Sequence, residues 1–214
     1  MTTSENMNIY RKNAIVVGVL FIIATAFLFI GEAFYGPILN SPDFLEIAYP
    51  NRITVIIGIL LEFACVIAIP LIPLFMYPSL KKYSEPLALG YVVFRLFEAV
   101  FFVANEISKL SLISVSQGYL TSGDAAFFQN LGGAIQSEIV WGFSMYVLIF
   151  ALGSAMFNSV LCKYKIVPRF ISGWGVLAAI LIFVGTTLVL FEIATETVAV
   201  IFLLPCKKWY LRCG

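Results

Sequence analysis

Residues 53–77 read ITVIIGILLEFACVIAIPLIPLFMY, an apolar run broken once by Glu62 and followed, past Pro78, by Lys81 and Lys82. A bilayer hydrocarbon core about 30 Å thick is crossed by about 20 residues of helix, so this stretch predicts a transmembrane span. Pro70, Pro73 and Pro78 cluster at its far end, where each removes a backbone donor and crowds the preceding turn. They predict a kinked or frayed inner end for this helix.

Stretches of the same kind lie on either side. The first, 13–36, follows Arg11 and Lys12 and is expected to end at Pro37. Its Ala24-Thr25-Ala26 imitates a signal-peptide cleavage site, but the apolar run continues past it, which favours a retained helix. The third, 87–117, starts after Pro86 and is long enough to tilt or protrude. The fourth, 136–161, and the fifth, 170–191, carry no charge beyond Glu138. A partial sixth occupies 193–205. The polar segments 39–51 and 118–130 are expected as loops. No internal repeat, low-complexity tract or linker divides the chain, so residues 1–214 read as one domain. The fold class is all-α: an integral membrane bundle of five full transmembrane helices plus a truncated sixth.

Composition says the same. With 61% hydrophobic and 12% charged residues over 214 positions, a water-soluble domain would have more apolar surface than it could cover. The mean hydropathy of +1.00 points to lipid as the solvent. Lys and Arg fall on alternate connections: Arg11, Lys12, Lys81, Lys82, Lys163, Lys165 and Arg169 on one side, Arg52 on the other. That asymmetry places the N-terminus in the cytoplasm of a cell-membrane protein. A net charge of +1 without a basic, aromatic-studded patch excludes nucleic acid as a partner.

The chain has no histidine, which removes His-based metal sites, His general bases and Ser-His or Cys-His nucleophiles. Cys65, Cys162, Cys206 and Cys213 lack C-x-x-C spacing and read as small hydrophobes or free thiols. There is no phosphate-binding glycine loop, no G-x-S-x-G and no metal-ligand cluster. No catalytic residue, metal or cofactor is therefore expected, and the chain reads as a non-enzyme.

Chemistry, if any, lies in the charges inside the spans. Arg95 is about 12 Å into its helix from Leu87, Glu98 about 17 Å, and Glu62 about 14 Å from the opposite end of its own helix at Ile53. All three fall near mid-depth. A lone charge at the bilayer centre costs about 2.5–3.5 kcal/mol on insertion scales, so the three are expected to face one another as a buried polar cluster. Two carboxylates against one guanidinium leave one negative charge over, most easily removed by a proton on one carboxyl. Such a group suits proton coupling; it equally suits polar glue between helices. A second, outer cluster is expected from Glu32, Glu106, Lys109 and Glu138, forming either a solvated rim or the mouth of a cavity above the first.

The segments AIVVGVLFIIAT (14–25), GPILN (36–40), LALGYVVFRLFEAV (87–100) and VPRFISGWG (167–175) resemble, in order and spacing, the bacterial multi-pass membrane family catalogued as domain of unknown function 4386. The resemblance covers residues from Lys12 to about 196. It implies a six-helix bacterial inner-membrane protein and transfers no catalytic or ligand residue. This chain departs from it at the C-terminus. Thr197 to Pro205 supply only about 14 Å of helix against a core of about 30 Å. They give way to Cys206, Lys207, Lys208, Trp209, Tyr210, Leu211 and Arg212, an ending expected from a frameshift or small deletion in the sixth span.

The expected function is movement or sensing of protons or a small solute through the Glu62, Arg95, Glu98 site. The alternative is a structural or regulatory subunit. The expected partners are the lipid bilayer, and another membrane protein or a second copy of the chain.

Overall fold

A computed structural model describes residues 3–165, 167–191 and 193. Among them are six helices and no strand: α1 (Thr3–Leu39), α2 (Phe44–Ile47), α3 (Arg52–Leu80), α4 (Glu85–Thr121), α5 (Ala125–Lys163) and α6 (Arg169–Leu190). All but the single-turn α2 are long and apolar enough to cross a membrane, α1 counted from Arg11. The expected partial helix 193–205 and the tail beyond it lie outside the described residues, apart from Ile193.

The five spans fall where the apolar runs place them, but their ends differ. Pro37 does not end α1, which continues to Leu39 and is closed by Asn40 N–H donating to Gly36 O at 3.0 Å. Pro70, Pro73 and Pro78 lie inside an α3 that runs unbroken to Leu80. The largest difference is at 118–130. The expected loop is mostly helix: α4 runs to Thr121, and α5 begins at Ala125, where Asp124 Oδ1 accepts the Phe127 N–H at 3.1 Å. Residues 125–138 mix polar and apolar side chains, so they carry no bilayer-length signal although they form regular helix.

Burial is inverted relative to a soluble protein. Glu62 and Glu98 are each 1% exposed, whereas Ile22, Leu60 and Val100 are 71%, 63% and 63% exposed. Large aliphatics turned outward and charges turned inward are the arrangement a hydrocarbon solvent selects.

The chain divides into two compact units, one built from residues up to 76 with 99–143, the other from 77–98 with residues from 144 onward. In the first, an apolar core gathers Tyr35, Leu39, Phe44, Leu45, Ala48, Val55, Ile59, Leu112, Ile113 and Val115. Ser116 of α4 fastens the α2 segment to it: the hydroxyl donates to Leu45 O at 2.7 Å and accepts the Tyr49 N–H at 2.9 Å. Gln136 of α5 donates to Leu39 O at 3.0 Å. The helices α1 and α3 approach backbone to backbone, since a Cβ on Gly31 would lie 2.6 Å from Gly58 O. In the second unit Tyr91 stacks on Phe157 at 4.8 Å, and Gly175 leaves room that the Asn158 amide fills.

Candidate functional site: a caged lysine and a boxed arginine

In the first unit, α1, α3 and α4 each bring polar groups to one point. Glu106 and Lys109, spaced i, i+3, share a face of α4. Lys109 lies about 18 Å from the Thr121 end of its helix, and Glu62 about 15 Å from the Arg52 end of α3, so the two meet deep within their spans. Lys109 Nζ donates to Glu62 Oε2 at 2.8 Å, Glu106 Oε1 at 2.6 Å and the Tyr35 hydroxyl oxygen at 2.8 Å. Tyr35 passes its own proton on, donating to Glu62 Oε1 at 2.8 Å. The ammonium also sits 4.3 Å from the Tyr35 ring centroid and 5.9 Å from that of Phe102.

Local packing makes the arrangement possible. A Cβ on Gly31 would stand 2.5 Å from Glu62 Cγ, so only glycine at 31 lets the glutamate stem lie between α1 and α3. The site is buried, with side-chain exposures of 1% for Glu62 and 7% for both Glu106 and Lys109. Two carboxyl groups against one ammonium leave one negative charge in excess. Glu106 Oε2 is buried and has no hydrogen-bond partner among the described residues. Every other charged or hydroxyl oxygen of the group is engaged, which marks that atom as the place where charge balance is unfinished.

The second unit holds a separate pair. Arg95 Nη1 reaches Glu98 Oε1 and Oε2 at 2.8 and 2.9 Å, and Nε donates to the Tyr91 hydroxyl at 3.3 Å. The guanidinium lies 5.2 Å from the Phe150 ring centroid and 5.5 Å from that of Tyr91. One cation, one anion and aromatic walls make a charge-balanced box, which suits a structural role.

The grouping thus differs from the expected one. Glu62 takes its ion pair from Lys109, a residue expected in the outer cluster, and Glu106 accompanies it. Arg95 and Glu98 pair with each other, apart from Glu62. Glu32 and Glu138 are exposed, Glu138 Oε1 being 2.9 Å from the Ser108 hydroxyl. Tyr35 was legible only as an aromatic near a helix end, because nothing in the sequence tells which hydroxyl faces a carboxylate. Among the described residues no three His, Cys, Asp or Glu side chains converge as a metal-binding group.

Five helices long and apolar enough to cross a membrane, with buried charged side chains on α3 and α4, define a multi-pass helical membrane protein. More particularly, the chain belongs to the family described as Domain of unknown function (DUF4386), which matches residues 16–211. Neither a curated protein nor a solved structure matches the chain.

Proposed function

We propose that this protein moves or senses protons through the buried Tyr35, Glu62, Glu106, Lys109 site. The observation that carries the reading is Glu106 Oε2, buried and without a hydrogen-bond partner among the described residues, in a group of two carboxyls and a single ammonium. In a low-dielectric interior the excess charge is most readily removed by one proton, shared within the carboxyl pair. A mid-membrane group that gains and loses one proton is a component of proton-coupled transport and of pH sensing. The protein acts without catalysis, in a bacterial cytoplasmic membrane, with its N-terminus on the cytoplasmic side.

The experiment is a proton count on the purified chain. Glu106→Gln is expected to bind about one proton fewer per chain than the parent across the titration. Reconstitution into liposomes carrying an interior pH dye then separates movement, read as flux down an imposed gradient, from sensing. A Glu106→Gln variant that titrates and conducts like the parent overturns the reading.

A second reading is supported by Glu32 and Glu138, carboxylates exposed on α1 and α5. A carboxylate facing lipid is costly, so a neighbouring membrane protein or second copy of this chain would cover them. The mass of the detergent-solubilised particle tests it: a monomer that crosslinks to nothing in native membranes removes this reading.

A further inference from the structure

The α3–α4 and α5–α6 turns belong to one unit, and a ring contact joins them. Tyr83 of the first turn meets Tyr164 of the second with ring centroids 5.1 Å apart. Lys81 and Lys82 precede Tyr83, Lys163 and Lys165 flank Tyr164, and Arg169 opens α6, so the contact gathers five exposed cations. The ammonium groups of Lys81 and Lys163 lie 5.5 Å from the Tyr77 and Tyr164 ring centroids. Lys165 is held at φ 54°, in the left-handed region that glycine enters freely and a residue with a Cβ does not. A lysine stands there all the same. The described carboxylates of this unit are Glu98, bound to Arg95, and Glu85, which accepts from the Tyr77 hydroxyl at 3.3 Å. Positive charge is therefore in excess where the turns meet. Orienting a membrane protein requires only that such residues share one side of the bilayer, not that they be joined.

Next to the cations, α6 turns an apolar face outward. Phe170, Trp174, Leu177 and Leu181 are all exposed and follow the i, i+4, i+7, i+11 spacing of one helix face. Trp174 lies about 8 Å along the axis from Arg169, the depth at which a tryptophan meets the boundary between headgroups and acyl chains. A free phosphate would use the cations and leave this face idle. We propose that the two turns and the outer face of α6 form a docking site for an anionic phospholipid, its headgroup phosphate on Lys81, Lys82, Lys163, Lys165 and Arg169 and an acyl chain along Trp174. The site shares no residue with the Tyr35, Glu62, Glu106, Lys109 group, so neither reading depends on the other.

The test is quenching of Trp174 in the purified full chain, carrying Trp141→Phe and Trp209→Phe, reconstituted into phosphatidylcholine vesicles. Phosphatidylglycerol or phosphatidylcholine with brominated acyl chains is added at equal mole fraction, bromine quenching the tryptophan on contact. Brominated phosphatidylglycerol is expected to occupy the site in at least about fivefold preference, the factor that one engaged cation supplies at an anionic surface. Lys165→Gly relieves the backbone and removes one cation, so it should melt no lower than the parent and reduce the preference by about that factor. Tyr164→Leu keeps all five cations but loses the ring contact, and is expected to reduce the preference too, its fold being checked by melting. Equal quenching by the two lipids in the parent overturns the proposal. So does an unchanged preference in Lys165→Gly, which would leave that cation without a part. An unchanged preference in folded Tyr164→Leu also overturns it, reducing the effect to the general attraction of basic loops for an anionic surface. Loss of the preference on adding inorganic phosphate, with ionic strength held constant by chloride, would make the occupant a free anion and overturn the lipid site as well.

Discussion

Lys109 Nζ lies 2.8 Å from Glu62 Oε2, an ion pair joining α4 to α3 with both side chains almost fully buried. Removing the cation leaves two neighbouring carboxyl groups without a counter-charge. Breaking a buried pair from one side costs about 3–5 kcal/mol in soluble proteins. Lys109→Met is therefore expected to accumulate poorly or to melt far below the parent in detergent. Glu62→Gln, whose amide oxygen still accepts from the ammonium, should melt closer to the parent. The double variant Lys109→Met with Glu62→Gln should recover part of the loss, because only one carboxyl is then stranded. Additive melting shifts in the double variant would show that the two residues are not coupled.

Gly31 offers a sharper packing test. An added methyl there meets Glu62 Cγ at 2.5 Å and Gly58 O at 2.6 Å, the second of which is backbone and cannot rotate away. Gly31→Ala is expected to destabilise by about 1–3 kcal/mol, the usual cost of overpacking. Gly18, on the same helix, has nothing within 4 Å of the added carbon, so Gly18→Ala should be neutral or slightly stabilising. Equal melting temperatures for the two variants would contradict the close approach of α1 and α3.

How much of this the sequence discloses depends on the kind of signal. Apolar run length locates all five spans, because a bilayer demands about 20 residues from any helix that crosses it. Pairing of charges is a finer matter. Counted from the Lys81–Lys82 turn, Glu62 lies about 27 Å along α3, while on α4 Arg95 lies about 15 Å and Lys109 about 36 Å along. Neither matches, and measuring Glu62 from Ile53 but Arg95 from Leu87 compares depths from opposite ends. Arg95 and Glu98 were readable because an i, i+3 pair needs no knowledge of a second helix. Tyr35 was not, since its hydroxyl acquires meaning only once α1 is packed on α3 at Gly31.

The Arg95 box should behave differently from the lysine cage. Its Nη1 holds both oxygens of Glu98, its Nε donates to the Tyr91 hydroxyl, and the Tyr91 and Phe150 rings lie within 5.5 Å, so charge, a second donor and the aromatic contacts all contribute. Arg95→Ala is expected to lower the yield of folded protein, and Arg95→Lys to restore it only partly, because an ammonium on a single carbon cannot place donors on Glu98 and Tyr91 as the planar guanidinium does. Glu98→Gln should be milder than either. The number of protons bound by the Tyr35, Glu62, Glu106, Lys109 group should stay at the parent's value in any of these variants that folds. A changed count in a folded Arg95→Lys would join the two sites and contradict the assignment of separate roles.

The orientation is a prediction, drawn from the charges of the connections. Lys81 and Lys82 cap the α3–α4 turn, and Lys163, Lys165 and Arg169 surround the α5–α6 turn, whereas the 122–124 turn carries Asp124 and no Lys or Arg. Lys and Arg in short connections are retained on the cytoplasmic side. Asp43, Lys82 and Asp124 are all exposed, so a cysteine at each is open to a reagent in solution. In a background freed of Cys65, Cys162, Cys206 and Cys213, a membrane-impermeant thiol reagent applied to intact cells should label Asp43→Cys and Asp124→Cys but not Lys82→Cys. After the cells are broken open, Lys82→Cys should label as well. The reverse pattern in intact cells would turn the protein over in its membrane. It would also put the α2 segment, held on α4 by Ser116, at the cytoplasmic end of the lysine cage.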